Sequence, residues 1–322
     1  MRRVTFALLL LASLSVRTSA QSSATSPDTD RRPAMPGAID DSSIGTRVAV
    51  RVDSGTGLVA PDRAEFITAK CGCYQTYAPA SAKYDPSAPG PGPGIVNNAR
   101  IQQVHFVVEY APSSDRFSLV ADVPMRSFSP QSFVAGSGTV ADATGVGDIR
   151  FGAKYSLSSH AVTQATVQVI ASAPTGDAAK GLGVHHWTVE PTILYAVRLG
   201  HRASIESQWG SVFPFNGSAG VPTSSTDTFS GRMILYSAGP SVDVYHSTST
   251  RIAPVVELRG WHILEGYSTG ESGPANGLDV VDMTAGVRAV FGRHVVYAGF
   301  EKAITNVKWF DRTVRLEYRW GL

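Results

Sequence analysis

The chain carries only two cysteines, Cys71 and Cys73, among its 322 residues. That excludes a disulfide-dense scaffold, so other forces must hold the fold. Charge is scarce as well: Asp, Glu, Lys and Arg make up 17% of the chain, below the roughly 25% of ordinary soluble domains. The net charge is +2, which offers no basic field for a nucleic acid, and no such partner is expected. Beyond the N-terminus no stretch is apolar for anything near ~18 residues, so a spanning helix is not expected and any membrane role must use strands. No GxSxG elbow, HExxH pair or kinase set occurs, and the chain reads as neither an enzyme nor a cofactor or metal protein. Cys71-Gly72-Cys73 supplies two soft ligands, with no nearby His or Cys to complete a tetrahedral set. A disulfide between these two cysteines is the alternative, although positions i and i+2 of a strand lie near the limit of its reach.

What is present begins with an export signal. Arg2 and Arg3 precede the apolar run FALLLLASL, and Thr18-Ser19-Ala20 ends on small residues. This pattern predicts a signal peptide over 1–20, cleaved before Gln21. Residues 21–60 open on a Ser-, Asp- and Pro-rich stretch and are expected to be disordered or weakly ordered. Within them, residues 44–53 read as a short strand or a tether.

From about residue 101 the chain alternates. In residues 311–320, DRTVRLEYRW, Val314, Leu316, Tyr318 and Trp320 fall on one parity, and Thr313, Arg315, Glu317 and Arg319 fall on the other. The same two-residue period recurs in 101–110, 116–124, 148–157, 162–171, 187–197, 202–210, 231–245, 251–263, 279–291 and 295–302. Pro191, Pro240 and Pro254 lie inside these segments and mark expected bulges. The links alternate too, short ones such as APSSD and GRH against long Gly/Ser/Pro-rich ones such as 125–147 and 211–230. Short turns at one rim and long loops at the other predict a closed antiparallel transmembrane β-barrel of about 12 strands, spanning 61–322. An even count needs one more strand before residue 101, and AEFITAKCGCYQ, residues 64–75, is the candidate.

Charge segregates cleanly by parity. A charged side chain facing hydrocarbon at mid-bilayer costs about 2–4 kcal/mol, and a few such errors would exceed the stability of a typical fold. The charged parity is therefore assigned to the lumen, where His105, Glu109, Arg150, Lys154, Glu190, Glu206, Glu257, Arg259, Arg288, Arg315 and Glu317 would line it. The apolar parity is assigned to outer-membrane lipid. Tyr155, Trp187, Tyr195, Trp209, Tyr318 and Trp320 lie near strand ends, as interface aromatics do.

Three short stretches carry a resemblance. They are GVGDIRFGAKYSL at 145–157, ASAPTGD at 171–177 and AGPSVDVY at 238–245. A Gly-Asp entering a strand with a Gly-Ala-Lys-Tyr core, then a strand ending in Pro-Thr-Gly-Asp, resembles the family of outer-membrane β-barrels named for the meta-pathway of phenol degradation. The resemblance implies a signal peptide, the outer membrane of a Gram-negative cell and passage of small hydrophobic or aromatic compounds. The expected function is thus a porin-like channel or transporter for small solutes, with the barrel-assembly machinery and a small-molecule solute as partners. The ending Trp320-Gly321-Leu322 departs from the terminal aromatic usual in such barrels. The alternative is a non-transporting structural or surface-interaction barrel whose outer loops do the work.

Overall fold

The computed structural model describes residues 37–59, 65–112, 116–220, 228–268 and 273–322. The expected signal peptide, and residues 21–36 of the N-terminal segment, lie outside the described residues.

Twelve antiparallel strands form one closed barrel. They are β1 (Arg47–Leu58), β2 (Val96–Tyr110), β3 (Phe117–Phe133), β4 (Ile149–Ser159), β5 (Thr163–Ala173) and β6 (Trp187–Leu199), followed by β7 (Ala203–Phe215), β8 (Met233–Val242), β9 (Thr250–Ile263), β10 (Asp279–Phe291), β11 (His294–Ala303) and β12 (Arg312–Gly321). Each strand pairs with its neighbour in sequence, and β12 pairs with β1 from Arg47↔Gly321 to Thr56↔Arg312, which joins the ends. Closure leaves no strand edge unpaired, the condition for a sheet to stand in hydrocarbon. Ala143–Val146 extends the β3 ladder above β4.

Parity decides what each strand shows. On β12, Val314, Leu316, Tyr318 and Trp320 are exposed on the outside, whereas Glu317 is buried. On β2, Phe106, Val108 and Tyr110 are exposed and His105 and Glu109 are buried. The inversion of the usual soluble pattern, apolar side out and charge in, repeats around the wall. Inside, opposite charges face each other across the ladders: Arg47↔Glu109, Arg51↔Glu317, Asp53↔Arg315, Asp122↔Arg150 and Arg259↔Asp282 are register partners. Such opposed pairs stabilise a ladder that like charges would weaken.

The expected first strand at 64–75 is corrected. Residues 65–95 form a folded loop with a short 3-10 turn at Gly72–Thr76, and β1 begins at Arg47, inside the segment expected to be weakly ordered. The reason is charge pairing. Arg47, Arg51 and Asp53 find carboxylate or guanidinium partners on both flanking strands, while Val48, Val50 and Val52 turn outward. The stretch 64–75 instead bends on the Cys71–Cys73 bond, whose Cα atoms are 5.1 Å apart, closer than the roughly 6.6 Å of alternate strand residues. The barrel therefore begins some fourteen positions before the boundary expected at residue 61.

The three expected irregularities fall at gaps in the ladders. Pairing of β6 with β7 skips Glu190 and Pro191, and pairing of β8 with β9 skips Pro240. Pro254 lies one residue before the β8–β9 ladder starts at Val255. Each proline sits where a missing N–H costs no ladder bond on one side.

Candidate functional site: a plugged lumen

Short turns, both ends of the wall at Arg47 and Gly321, and the last residues of β2, β4, β6, β8 and β10 share one rim. From that rim the chain preceding β1 enters the lumen. Residues 37–46 carry no regular secondary structure, so their backbone groups need partners from the wall. The wall supplies them on every side. Arg315 donates to the Gly37 carbonyl at 3.0 Å, and the N–H groups of Ala38 and Ile39 donate to Glu257 at 2.8 and 3.3 Å. Asp40 donates its N–H to Gln208 at 3.0 Å and its carboxylate accepts from Gln168 at 2.8 Å. The Ser42 carbonyl accepts from Gln164 and Thr166 at 2.8 and 2.6 Å.

Asp41 is the most tightly held group. Its carboxylate lies 2.9 Å from Arg47 Nη1 and 3.0 Å from Arg319 Nη1, and accepts from the Ser43 N–H at 2.8 Å. Lys154 Nζ donates to the Asp41 carbonyl at 2.9 Å and to Glu109 at 3.1 Å. Burial by itself would raise the Asp41 carboxyl, but Arg47, Arg319 and Lys154 outweigh it and hold the group below the ordinary carboxylate range. Gly37 fits where it does because it has no side chain: a Cβ there would meet Glu257 Oε1 at 2.5 Å and Arg288 Nη2 at 2.7 Å.

The structure places all eleven lumen residues read from the sequence in this interior network. Glu109, Lys154, Glu257 and Arg315 touch the inserted segment directly. His105 contacts Asp122 at 2.9 Å, Arg150 lies 3.5 Å from Glu190, and Arg259 donates to Glu301 at 2.9 Å. Arg288, fully buried, bridges Glu206 at 2.7 Å and Glu257 at 3.0 Å. Glu317 pairs with Arg319. Asp40, Asp41, Arg47 and Asp53 escape the sequence reading because they lie in the segment expected to be weakly ordered. For Arg47 and Asp53 the sign is their alternation with Arg51 against three valines; Asp40 and Asp41 precede the strand and carry no such sign.

The outer half of the lumen is different. Trp261 points inward from β9 and packs on Trp309 of the β11–β12 loop, with ring centroids 4.5 Å apart, and Trp309 meets Phe66 at 5.7 Å. Leu58, Val96, Ile101, Phe128, Leu182, Val212, Met233, Leu235 and Val280 complete one apolar cluster around them. Loop residues 65–95 roof this layer. Lys70 Nζ bonds Asp85 at 2.7 Å and the Ala219 carbonyl at 2.8 Å, over the rings of Tyr74 and Phe229. Arg126 donates to the Ile67 carbonyl at 2.9 Å, which ties the roof to β3. Cys71 and Cys73 are joined within the roof.

The six aromatics read as interfacial all face outward and are exposed. Tyr155, Tyr195, Tyr318 and Trp320 lie toward the short-turn rim, and Trp187 opens β6 at the long-loop rim. Trp209 stacks on Tyr236 across the β7–β8 ladder at 6.2 Å. The Gly-Asp and Pro-Thr-Gly-Asp stretches form a clasp at the long-loop rim. Asp148 accepts from the N–H groups of Gly176 and Val184 at 2.9 and 2.8 Å, and Thr175 receives the Ile149 N–H at 2.9 Å. A Cβ on Gly183 would meet Asp148 Oδ1 at 2.5 Å, so the clasp requires glycine there.

Residues 100–245 match the model of a family described as "Putative MetA-pathway of phenol degradation". No curated protein matches. Among solved structures, an outer membrane channel from Pseudomonas putida F1 is similar at 14% identity with a TM-score of 0.51, covering 92% of this chain and 99% of that one. The NanC porin, at 6% identity and TM-score 0.48, and the beta domain of the Bordetella autotransporter Brka, at 10% and 0.48, each cover 86% of this chain and 100% of their own. At these identities the likeness is one of fold: this chain has the fold of an outer-membrane β-barrel.

Proposed function

We propose that this protein is an outer-membrane channel for small solutes with an apolar, aromatic-sized body, resting in a closed state with residues 37–46 in its lumen. The observation that carries the reading is the inward-facing apolar layer around Trp261 and Trp309. A water-filled pore for polar solutes has no use for buried tryptophans on its inner wall, because a lumen of that kind is polar throughout. An apolar layer inside a barrel already faced with hydrocarbon outside gives a greasy solute somewhere to leave water. The outward aromatics near the rims sit where Tyr and Trp anchor a barrel at the bilayer interfaces. The match of residues 100–245 to a family described by phenol degradation agrees with an aromatic solute.

The test is uptake into proteoliposomes. A neutral aromatic compound should enter faster through the protein than through empty vesicles, and Trp261→Ala should slow that entry. Equal rates with and without protein would overturn the reading. A second reading, a sealed barrel working through its surface loops, draws on the same filled lumen and the tied roof over 65–95. It requires that no solute crosses and that the inserted segment never leaves.

A further inference from the structure

The inserted segment does more than fill space: it presents a carboxylate to a built clamp. Asp41 is gripped by two guanidinium groups, Arg47 from β1 and Arg319 from β12, at 2.9 and 3.0 Å, with the Lys154 ammonium one atom group away on the Asp41 carbonyl. Each fork also has a partner on the wall, Arg47 Nε on Glu109 at 2.9 Å and Arg319 on Glu317, which orients both toward the Asp41 position independently of the segment. Beside the clamp lies a cavity of about 80 Å³. Its wall contributes five cations, Arg47, Arg51, Arg150, Lys154 and Arg319, and three carboxylates, Glu109, Asp122 and Glu317. Asp40 and Asp41 of the segment bring the carboxylates to five. Glu190, 3.5 Å from Arg150, is the next wall carboxylate, and Arg315 above is taken by Asp53. The opposite wall has no such excess: Glu257 gives up the Ala38 and Ile39 N–H groups yet keeps Arg288 when the segment leaves. Withdrawal of the segment thus leaves the cavity's five cations to share its three wall carboxylates, Arg47 and Lys154 both on Glu109 and Arg319 on Glu317, while Arg51 turns to Asp53 at 3.2 Å and Arg150 to Glu190.

We propose that the clamp now closed on Asp41 is a binding site for the carboxylate of a small solute, and that residues 37–43 occupy it as a tethered competitor. The inference rests on the channel reading and sharpens it. A solute with an apolar body would pass the layer at Trp261 and Trp309, then exchange its own carboxylate for that of Asp41. The solute class is therefore a small amphipathic monocarboxylate, not a neutral compound alone.

The experiment uses the full-length protein in lipid nanodiscs and follows hydrogen exchange of the amides at 38–45. Benzoate at millimolar concentration should accelerate their exchange at least tenfold, while benzamide, equal in shape and uncharged, should leave it unchanged. Asp41→Asn should raise exchange to the same degree with no ligand, and should bind benzoate about tenfold more tightly by titration calorimetry. Equal effects of benzoate and benzamide, or an Asp41→Asn segment protected like the natural one, would overturn the proposal. Should that variant fail to insert, the natural protein with the two probes decides the matter. Uptake of a neutral aromatic with no response to benzoate would sink the carboxylate site and spare the channel. Release by benzoate without passage of any solute would support the site and sink the channel.

Discussion

The two halves of the lumen are filled in opposite ways. Near the short-turn rim the interior is charged, and ten residues of chain are held there by directional bonds to Glu257, Gln208, Gln168, Arg47 and Arg319. Near the long-loop rim the interior is apolar, and Trp261, Trp309 and Phe66 fill it by packing. Directional pairing is specific and fails all at once when one partner is removed, since a buried charge is left behind. Apolar packing degrades gradually, in proportion to the volume lost. The first arrangement suits a part with two positions, seated or released. The second suits a layer that accepts varied greasy molecules.

The sharpest way to break the comparison is to reverse one charge. Asp41→Arg would set three cations against one another, and burying an unpaired charge costs about 3–5 kcal/mol. Single-channel conductance in planar bilayers should rise by at least tenfold; an unchanged conductance would mean that the segment is held by something other than its ion pairs. Next in size is a test of the wall itself. Leu316→Arg, on the outward face of β12, should destabilise the barrel by about 2–4 kcal/mol in urea unfolding from lipid vesicles. Thr313→Arg, on the inward parity of the same strand, should cost well under half of that.

In the apolar half, Trp309→Ala should weaken retention of a fluorescent naphthylamine probe by roughly tenfold, or about 1.4 kcal/mol, with segment 37–46 still seated. Coupled loss of the segment in the same variant would show that the halves are not independent. Acid gives a smaller and graded effect. Arg47, Arg319 and the Ser43 N–H bond the Asp41 carboxyl, Lys154 holds the Asp41 backbone carbonyl beside it, and Glu109 and Glu317 lie next beyond them. A carboxyl lowered in the seated state contributes stability that is complete above the ordinary value of about 4 and is lost as pH falls through the lowered value. Asp40 behaves alike: burial opposes its ionisation, but Arg150, Gln168, Lys154 and Arg51 prevail. Conductance should therefore stay low and flat from pH 8 to 5 and rise only below about pH 4; a rise at higher pH would mean that the Asp40 and Asp41 carboxylates are not what seats the segment. The smallest effect is expected from Cys71→Ser with Cys73→Ser, which should shift the melting temperature by only a few degrees, because Lys70–Asp85 and Arg126–Ile67 still tie the roof down.

Much of the wall was legible in the chain, and for one reason. A strand has a period of two, and apolar side chains outside with charge inside make that period visible residue by residue. The strands from β2 onward, the alternation of short and long links and the inward set from His105 to Glu317 all follow from parity. The first strand followed only in part: residues 44–53 read as a short strand or a tether, and the strand is what forms, while the expected place in the barrel wall went to 64–75. Arg47–Leu58 follows a polar, Pro-rich start and ends in Ser-Gly-Thr-Gly, so its alternation is brief, and only its partners on β2 and β12 show what it is. The Gly-Asp and Pro-Thr-Gly-Asp stretches were legible as a family signature, while their work as a rim clasp depends on contacts between residues more than twenty positions apart, Asp148 with Gly176 and Ile149 with Thr175.

Parity along the chain was enough to fix a closed barrel with apolar side chains on its outer face and charge within, because side-chain direction in a strand depends on position alone. It could not say what fills the interior. Whether a lumen is open, plugged or greasy depends on which distant residues meet there, and Asp41 finds Arg319 across 278 positions of chain. Only the closed wall, which brings β1 and β12 side by side, decides that meeting.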